Sequence, residues 1–168
     1  MSFKHLARPL IAATLAAATL AALPACADDM AAAPASSNAG ATPIAGDGVY
    51  KAFHEKEGIQ RIMDDFIVRV TTDPRIERRF ANANLQRLNL LLVQQVCYLT
   101  GGPCEYTGKD MKAAHAAMGL KDDDFNALAE DLQLSMDREG VSFAAQNALL
   151  QKLAPMEHVI VTRRGPLP

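Results

Sequence analysis

The sequence predicts an all-α domain, preceded by an export signal and a linker. Hydrophobic residues recur at helical spacing through most of residues 49–161, and no stretch shows the sustained period-two alternation of a strand. Glycines, prolines and capping residues separate these stripes at intervals typical of short helices. Of the 168 residues, 49% are hydrophobic and 21% charged, which suits one ordinary domain. We therefore expect about half a dozen helices.

The first residues have the composition of a secretory signal. Lys4 and Arg8 precede an apolar run, residues 10–23, that is too short to span a bilayer comfortably. The run is followed by Leu-Pro-Ala-Cys, which resembles a bacterial lipobox with Cys26 as the lipidated residue. Ordinary cleavage nearby is the alternative. Either way we expect residues 1–25 to be removed and the protein to be exported to the periplasm, with or without a membrane anchor.

The charge balance argues against nucleic acid as a partner. Removal of residues 1–25 takes away two basic residues and no acid, so the formal charge moves from −2 to −4. Nucleic-acid binding depends on cationic contacts to phosphate, and the only basic pair near the end of the chain lies in the short tail, residues 162–168.

Two cysteines remain in the predicted domain. Cys97 and Cys104 lie seven positions apart, on either side of a Gly-Gly-Pro turn. In an oxidising compartment such a pair can form a disulfide, which would stabilise the fold by roughly 2–3 kcal/mol. The alternative is two buried thiols. A zinc site is a poor interpretation, because two cysteines without paired histidines do not complete its ligand set.

The segment before the domain is expected to be a tether. Residues 26–48 consist largely of Ala, Pro, Ser, Gly, Asn, Thr and Asp, with almost no large apolar side chains. Such a composition buries too little surface to offset the entropy of ordering the chain.

The first half of the domain predicts four helices. A short one around residues 50–53 precedes a strongly amphipathic helix over residues 58–70. Asp73-Pro74 ends that helix and begins another short one, which ends near Phe80. Asn84 then caps a helix that runs to about residue 99, where Gly-Gly-Pro ends it.

The second half predicts three more. A short helix carries His115 and ends at Gly119. Residues 122–124 are three aspartates, better explained as charges at a helix N-terminus than as a calcium loop, because no further acids complete such a loop. After Gly140, Ser142 is expected to cap the last helix, which Pro155 breaks or kinks. In it Phe143, Leu149, Leu150 and Leu153 are expected to face inward.

One histidine stands out from the others. Met111 and Met118 lie four residues before and three after His115, so all three share an apolar helix face. From the residues alone, the imidazole is either a core histidine that hydrogen-bonds a neighbour or a metal ligand, and the first is the commoner case. The sequence contains no nucleophile elbow, phosphate loop or zinc-protease motif that would indicate a conventional catalytic site.

Several blocks of residues resemble one known family, the group 1 truncated hemoglobins. The spacing between the blocks agrees from about Tyr50 to Pro155. The blocks are Asp64-Asp65-Phe66, Val68-Arg69-Val70, Asp73, Phe80, Gly101-Gly102-Pro103, Tyr106-Thr107-Gly108, Met111 and His115.

The resemblance implies a two-over-two helical sandwich around a b-type haem, with His115 as the proximal iron ligand. It also implies that Phe80 packs on the porphyrin. The other implied pocket residues are Phe66, Ile67, Leu88, Leu92, Val96, Met111, Met118, Leu120 and Phe125.

The chain departs from the family pattern on the distal side. Ile67 stands where oxygen-binding members usually have a tyrosine, and Leu92 where they often have a glutamine. Without these hydrogen-bond donors we expect dioxygen to leave quickly, while CO and NO still bind. Gln95 is the nearest amide that could compensate. A further departure is His54-Glu55 where the family often has Gly-Gly, which bears on the first inter-helix turn.

The resemblance therefore predicts a haem protein that binds O₂, NO or CO, in the manner of oxygen-binding or oxygen-transport globins. A second interpretation is a haem enzyme, an NO dioxygenase or peroxidase-like protein, which would need an external reductase because no flavin or nicotinamide module is attached. A third, from a different class, is a haemless helical lipoprotein that serves as an interaction module.

Overall fold

The computed structural model describes residues 37–162, and the regular elements in this part of the chain are helices. Short 3₁₀ turns occupy Ser37–Ala39 and Ala154–Met156. The α-helices are α1 Gly48–Ala52, α2 Glu55–Thr72, α3 Glu77–Phe80, α4 Leu85–Leu99, α5 Met111–Ala114, α6 Asp122–Glu139, α7 Phe143–Leu153 and α8 Glu157–Ile160. The predicted fold class is confirmed. The signal, Cys26 and the tail after Thr162 lie outside the described residues.

Four helices form two layers. Helices α2 and α4 pack side by side, and α6 and α7 follow each other across the turn at Gly140. Helix α2 also packs on α6, and α4 on α7, which gives the two-over-two arrangement. None of the helices between Ser37 and Thr162 combines the length and the hydropathy that a bilayer-spanning segment needs.

Helix α2 supplies the centre of the core. Ile59, Ile62, Met63, Phe66 and Val70 are all buried, and their spacing places them on one face. Full burial of a side chain of this size stabilises a fold by roughly 1.5–3 kcal/mol. This stripe is the feature that the periodicity predicted.

The paired aspartates of α2 tie that helix to its two neighbours. Asp64 accepts a hydrogen bond from Asn89 of α4 at 2.9 Å. Asp65 accepts from Arg69, one turn along its own helix, at 2.6 Å, and from Arg138 of α6. The Asp-Asp block therefore has a structural role: Asp64 joins α2 to α4 within one layer, and Asp65 joins α2 to α6 in the other.

The turn between α1 and α2 has an unusual backbone. His54 and Glu55 have φ angles of 57° and 60°, in the left-handed region that favours glycine. This explains why a Gly-Gly pair suits the position. Helix α2 begins at Glu55, three residues before the predicted start at Gly58. Gly58 therefore lies inside the helix, at a position where a Cβ would be 2.1 Å from the Phe53 carbonyl oxygen and glycine is required.

The predicted helix ends are confirmed in part. The Asn84 side chain accepts from the Arg87 amide at 3.0 Å, whereas Ser142 occupies the N-cap position of α7 without a side-chain cap bond. Pro155 does break the last helix. Phe143 was expected inside and is 73% exposed, because it begins α7 about 200° around the axis from the buried Ala145.

The tether prediction is wrong for residues 37–47, which we name the N-terminal strap. Ala39 is fully buried, and its carbonyl oxygen accepts from Gln95 Nε2 at 2.9 Å. The Ile44 amide donates to the Leu99 carbonyl oxygen at 2.9 Å. Backbone groups of the strap make these hydrogen bonds, and Ile44 is its one large apolar side chain. The segment therefore shows little of the apolar pattern by which a packed segment is recognised in sequence.

Candidate haem site

His115 lies immediately after α5 and is half-buried. Its Nδ1 atom is 2.8 Å from the carbonyl oxygen of Met111. A carbonyl oxygen can only accept, so Nδ1 carries a hydrogen, and in the neutral form of the ring the lone pair is then on Nε2. Metal-ligating histidines usually have this arrangement, with one ring nitrogen donating to a carbonyl or carboxylate and the other free to bind the metal.

The loop before α5 is built around Tyr106. Its hydroxyl donates to the Lys109 carbonyl oxygen at 3.0 Å, and its ring lies so close to Gly108 that a Cβ there would be 2.2 Å from the hydroxyl oxygen. Asp110 then caps α5, accepting from the Ala113 amide at 2.8 Å. The Tyr-Thr-Gly block is therefore a compact turn that leads into α5.

The start of the same loop lies against α4. The sulfur atoms of Cys97 and Cys104 are at bonding distance, and their Cα atoms are 5.7 Å apart. Cys97 is fully buried. A Cβ on Gly102 would be 2.8 Å from Cys97 Sγ, so the Gly-Gly-Pro turn needs a residue without a side chain at this position.

Arg79 joins α3 to the turn after His115 and to the start of α6. Its guanidinium donates to the Met118 carbonyl oxygen at 3.0 Å and to Asp124 at 2.7 Å. These bonds tie α3 and the first turn of α6 to the turn after His115.

The distal positions are hydrocarbon. Ile67 of α2 and Leu88 and Leu92 of α4 are half-buried, on two helices that pack against each other. Gln95 is buried, and its Nε2 donates to Ala39 and lies 3.3 Å from Met111 Sδ. Its amide is therefore engaged on the strap side and does not replace the missing distal donors in this arrangement.

The implied pocket residues differ in burial. Phe66, Val96 and Met111 are buried in the core, and Met118 is 37% exposed. The others are half-buried: Ile67, Phe80, Leu88, Leu92, His115, Leu120 and Phe125.

The donor set fits a haem. Among residues 37–162, no three His, Cys, Asp or Glu side chains gather into a metal cluster. A single imidazole among apolar side chains is what a haem requires, since the porphyrin supplies the in-plane ligands.

Sequence reasoning missed Arg79, Gly40 and Met156 as neighbours of the site. Arg79 is one of several arginines around α3, and nothing in the pattern separates it from the surface ones. Gly40 has φ 91° and touches Met111 and Met156, but it lies in a stretch rich in small residues. A contact between a glycine with a left-handed backbone and a buried methionine leaves no periodic pattern in the sequence.

The comparisons with known proteins agree with this architecture. The bacterial-like globin family model matches residues 48–162. The group 1 truncated hemoglobin GlbN of Mycolicibacterium paratuberculosis is 28% identical over 114 residues, which are 68% of this chain and 84% of that protein. The resemblance inferred from the sequence is confirmed.

Solved structures of truncated hemoglobins share the fold. The Fe(III) form of the Tetrahymena pyriformis protein superposes with a TM-score of 0.66 at 23% identity, covering 68% of this chain and 98% of that one. The 2/2 hemoglobin of Synechococcus sp., solved with covalently attached haem, gives 0.62 at 24%, with the same coverages. Because the family match spans well over half of the sequence and the whole described helical domain, this chain belongs to the bacterial-like globin family.

Proposed function

We propose that this chain binds a b-type haem through Nε2 of His115 and binds diatomic gases on an apolar distal side. The globin family implies haem binding. The observation that supports the ligand is the Nδ1 to Met111 hydrogen bond of 2.8 Å, which directs the lone pair of the imidazole to Nε2.

The surrounding residues would hold the haem by apolar contact. Phe80, Leu92 and Phe125 are half-buried hydrocarbon on three different elements, and they would cover porphyrin surface and exclude water. The iron, when bound, supplies the site for O₂, CO or NO. The protein orients His115 on one side and withholds hydrogen-bond donors on the other.

The apolar distal side affects how firmly each gas is held. Bound dioxygen gains from hydrogen-bond donors, and each charge-assisted bond is typically worth roughly 1.5–3 kcal/mol. CO and NO depend less on such donors. We therefore propose that oxygen dissociates quickly and that CO or NO is held more firmly, which favours gas capture over stable oxygen storage.

The test is an absorption spectrum of the reduced, haem-loaded protein with and without CO. We expect His115→Ala to lose the Soret shift of a histidine-ligated CO complex, and external imidazole to restore it. His158→Ala, at an exposed position in α8, serves as the control and should leave the spectrum unchanged. A His115→Ala protein with the wild-type spectrum and haem affinity would contradict the proposal.

The b-type assignment has its own test, since the Synechococcus relative carries covalently attached haem. We expect acidic butanone to extract the haem completely from this chain. Haem that stays with the protein would show a covalent bond.

Export, anchoring and a reductase partner are proposed from the sequence alone. We expect Cys26→Ser to abolish incorporation of labelled fatty acid while leaving removal of the signal possible. Labelling that persists in this variant would exclude Cys26 as the lipidation site.

A further inference from the structure

The N-terminal strap precedes the residues that match the globin family, yet it is attached close to His115. The Asn38 side chain donates to the Gly108 carbonyl oxygen at 3.4 Å, in the loop that leads into α5. Ala39 accepts from Gln95, and Ile44 bonds to Leu99 at the end of α4. The strap therefore touches both the loop before the histidine helix and the helix behind it.

The strap crosses the Gly-Gly-Pro turn at very short range. A Cβ on Gly101 would be 2.0 Å from the Gly46 carbonyl oxygen and 2.8 Å from that of Ile44. A side chain on Gly101 would push the strap away, so this glycine is needed for the crossing as well as for its own φ of 88°.

At Gly40 the strap reaches the side chain of Met111. A Cβ on Gly40 would be 2.9 Å from Met111 Cγ and 2.7 Å from Met156 Cε. With Gln95 Nε2 at 3.3 Å from Met111 Sδ, three elements distant in sequence enclose this thioether. Met111 therefore lies in a cage made by the strap, α4 and the turn before α8.

Helix α5 depends on that cage. It has four residues, and Met111 is the buried one among them. A single turn does not form stably by itself, because nucleation of a helix is unfavourable. Its cap at Asp110 and the packing of Met111 hold it in position, together with its contact with α8. The carbonyl oxygen of Met111 also holds the His115 ring.

We infer that the N-terminal strap is a positioning element of the proximal side: by packing on Met111 it fixes α5 and, through the Met111 carbonyl group, the orientation of His115. This inference rests on the proposed function as far as iron is concerned. The hold of the strap on α5 is a property of the protein itself and can be measured separately.

A matched pair of glycine variants tests the inference. Gly40 and Gly46 both have left-handed backbones, with φ 91° and 74°, so alanine strains each of them similarly. The new Cβ of Gly40→Ala meets Met111 and Met156, whereas that of Gly46→Ala has no atom within 4 Å. The difference between the two variants therefore reports the contact and not the backbone strain.

Three measurements on the full chain decide the outcome. Amide hydrogen exchange at Ala114 and His115 should accelerate in Gly40→Ala and not in Gly46→Ala. In the haem-loaded protein, transfer of haem to apomyoglobin should be roughly tenfold faster for Gly40→Ala, and its iron–histidine stretching band should shift. Equal exchange and equal haem transfer in the two variants would overturn the inference.

A second variant covers the case in which Gly40→Ala does not fold. Gln95→Met keeps a similar volume and removes the donor to Ala39, so it should give the same faster exchange and haem loss; unchanged behaviour would overturn the inference. If the wild-type chain takes up no haem, the proposed function fails, and the exchange comparison alone still supports or overturns the hold of the strap on α5.

Discussion

The imidazole of His115 and the carbonyl group of Met111 are one helical turn apart, so their hydrogen bond forms within a single loop of chain. The residue that orients the ring is therefore also the residue that anchors the helix. A change that moves the Met111 side chain is expected to rotate the ring as well, even though it does not touch the histidine.

Residue types indicated the chemistry of the site but not the directions in which its side chains point. The lone histidine on an apolar face and the absence of distal donors could be read from types and spacing, together with the family resemblance. The direction in which the Gln95 side chain points could not be predicted from the sequence. Its amide bonds Ala39, which lies in the N-terminal strap, and no pattern in the sequence indicated that the strap packs there.

The distal side gives a prediction at the residue scale. Ile67→Tyr places a phenol where oxygen-binding relatives carry one, and we expect oxygen to dissociate roughly 10- to 100-fold more slowly, as one added hydrogen bond would allow. Stopped-flow mixing measures this rate. Ile67→Phe adds the ring without the hydroxyl and is the control. Equally slow oxygen dissociation in both variants would show that the size of the ring, and not its hydroxyl group, causes the effect.

At the scale of elements, the long helices were predictable and the short connections were not. The apolar stripe of α2, the Asn84 cap of α4 and the end of α6 at Gly140 follow from local rules. The early start of α2 and the packed strap depend on contacts between distant segments, such as Ile44 with Leu99. Local patterns carry no information about such contacts.

The turn between α1 and α2 gives a prediction about stability. Glu55→Gly should raise the free energy of unfolding by about 1 kcal/mol, because it relieves a left-handed non-glycine residue. Glu57→Gly, two residues along the same helix, should lower it by about 1 kcal/mol. Urea unfolding monitored by circular dichroism measures both. Destabilisation by both substitutions would mean that the Glu55 backbone is not strained.

The pairing of Cys97 with Cys104 also concerns an element, the loop that joins α4 to α5. We propose that these residues form a disulfide, and we expect Cys97→Ser with Cys104→Ser to lower the free energy of unfolding by roughly 2–3 kcal/mol. Thiol titration of the unfolded, unreduced protein checks the bond directly. Two free thiols in the predicted domain would rule it out.

At the scale of the whole molecule, the carboxyl groups of Asp65 and Asp131 have opposite effects on the free energy of unfolding. Burial would raise the pKa of Asp65, but hydrogen bonds from Arg69 and Arg138 outweigh it and the pKa is lowered. Burial, and then the negative charge of Asp73, raise the pKa of Asp131. Its Oδ2 is buried and has no hydrogen-bond partner among the described residues.

These shifts give opposite pH dependences. A lowered pKa in the folded state contributes stability above the unfolded value, and this is lost as the pH falls through the folded value. A raised pKa, as at Asp131, favours the fold at low pH, and that contribution is lost as the pH rises through the folded value. At neutral pH, Asp65 is therefore stabilising and Asp131 is destabilising.

Asp131→Asn tests this balance. We expect it to raise the free energy of unfolding at pH 7 by about 1 kcal/mol, because a neutral amide costs less to bury than an unpartnered carboxylate. The gain should shrink as the pH is lowered toward the ordinary aspartate value of 3.8. Urea titrations at several pH values measure it. A gain that does not change with pH would contradict the assignment.

The cage around Met111 also limits the order in which the protein can assemble. Its parts are Gly40 near one end of the described chain, Gln95 in the middle and Met156 near the other end. Contacts between segments so far apart form late, because the intervening chain must first close. A nascent chain that ends before Met156 lacks part of the cage, so firm capture of haem should follow completion of the domain, after synthesis and not during it.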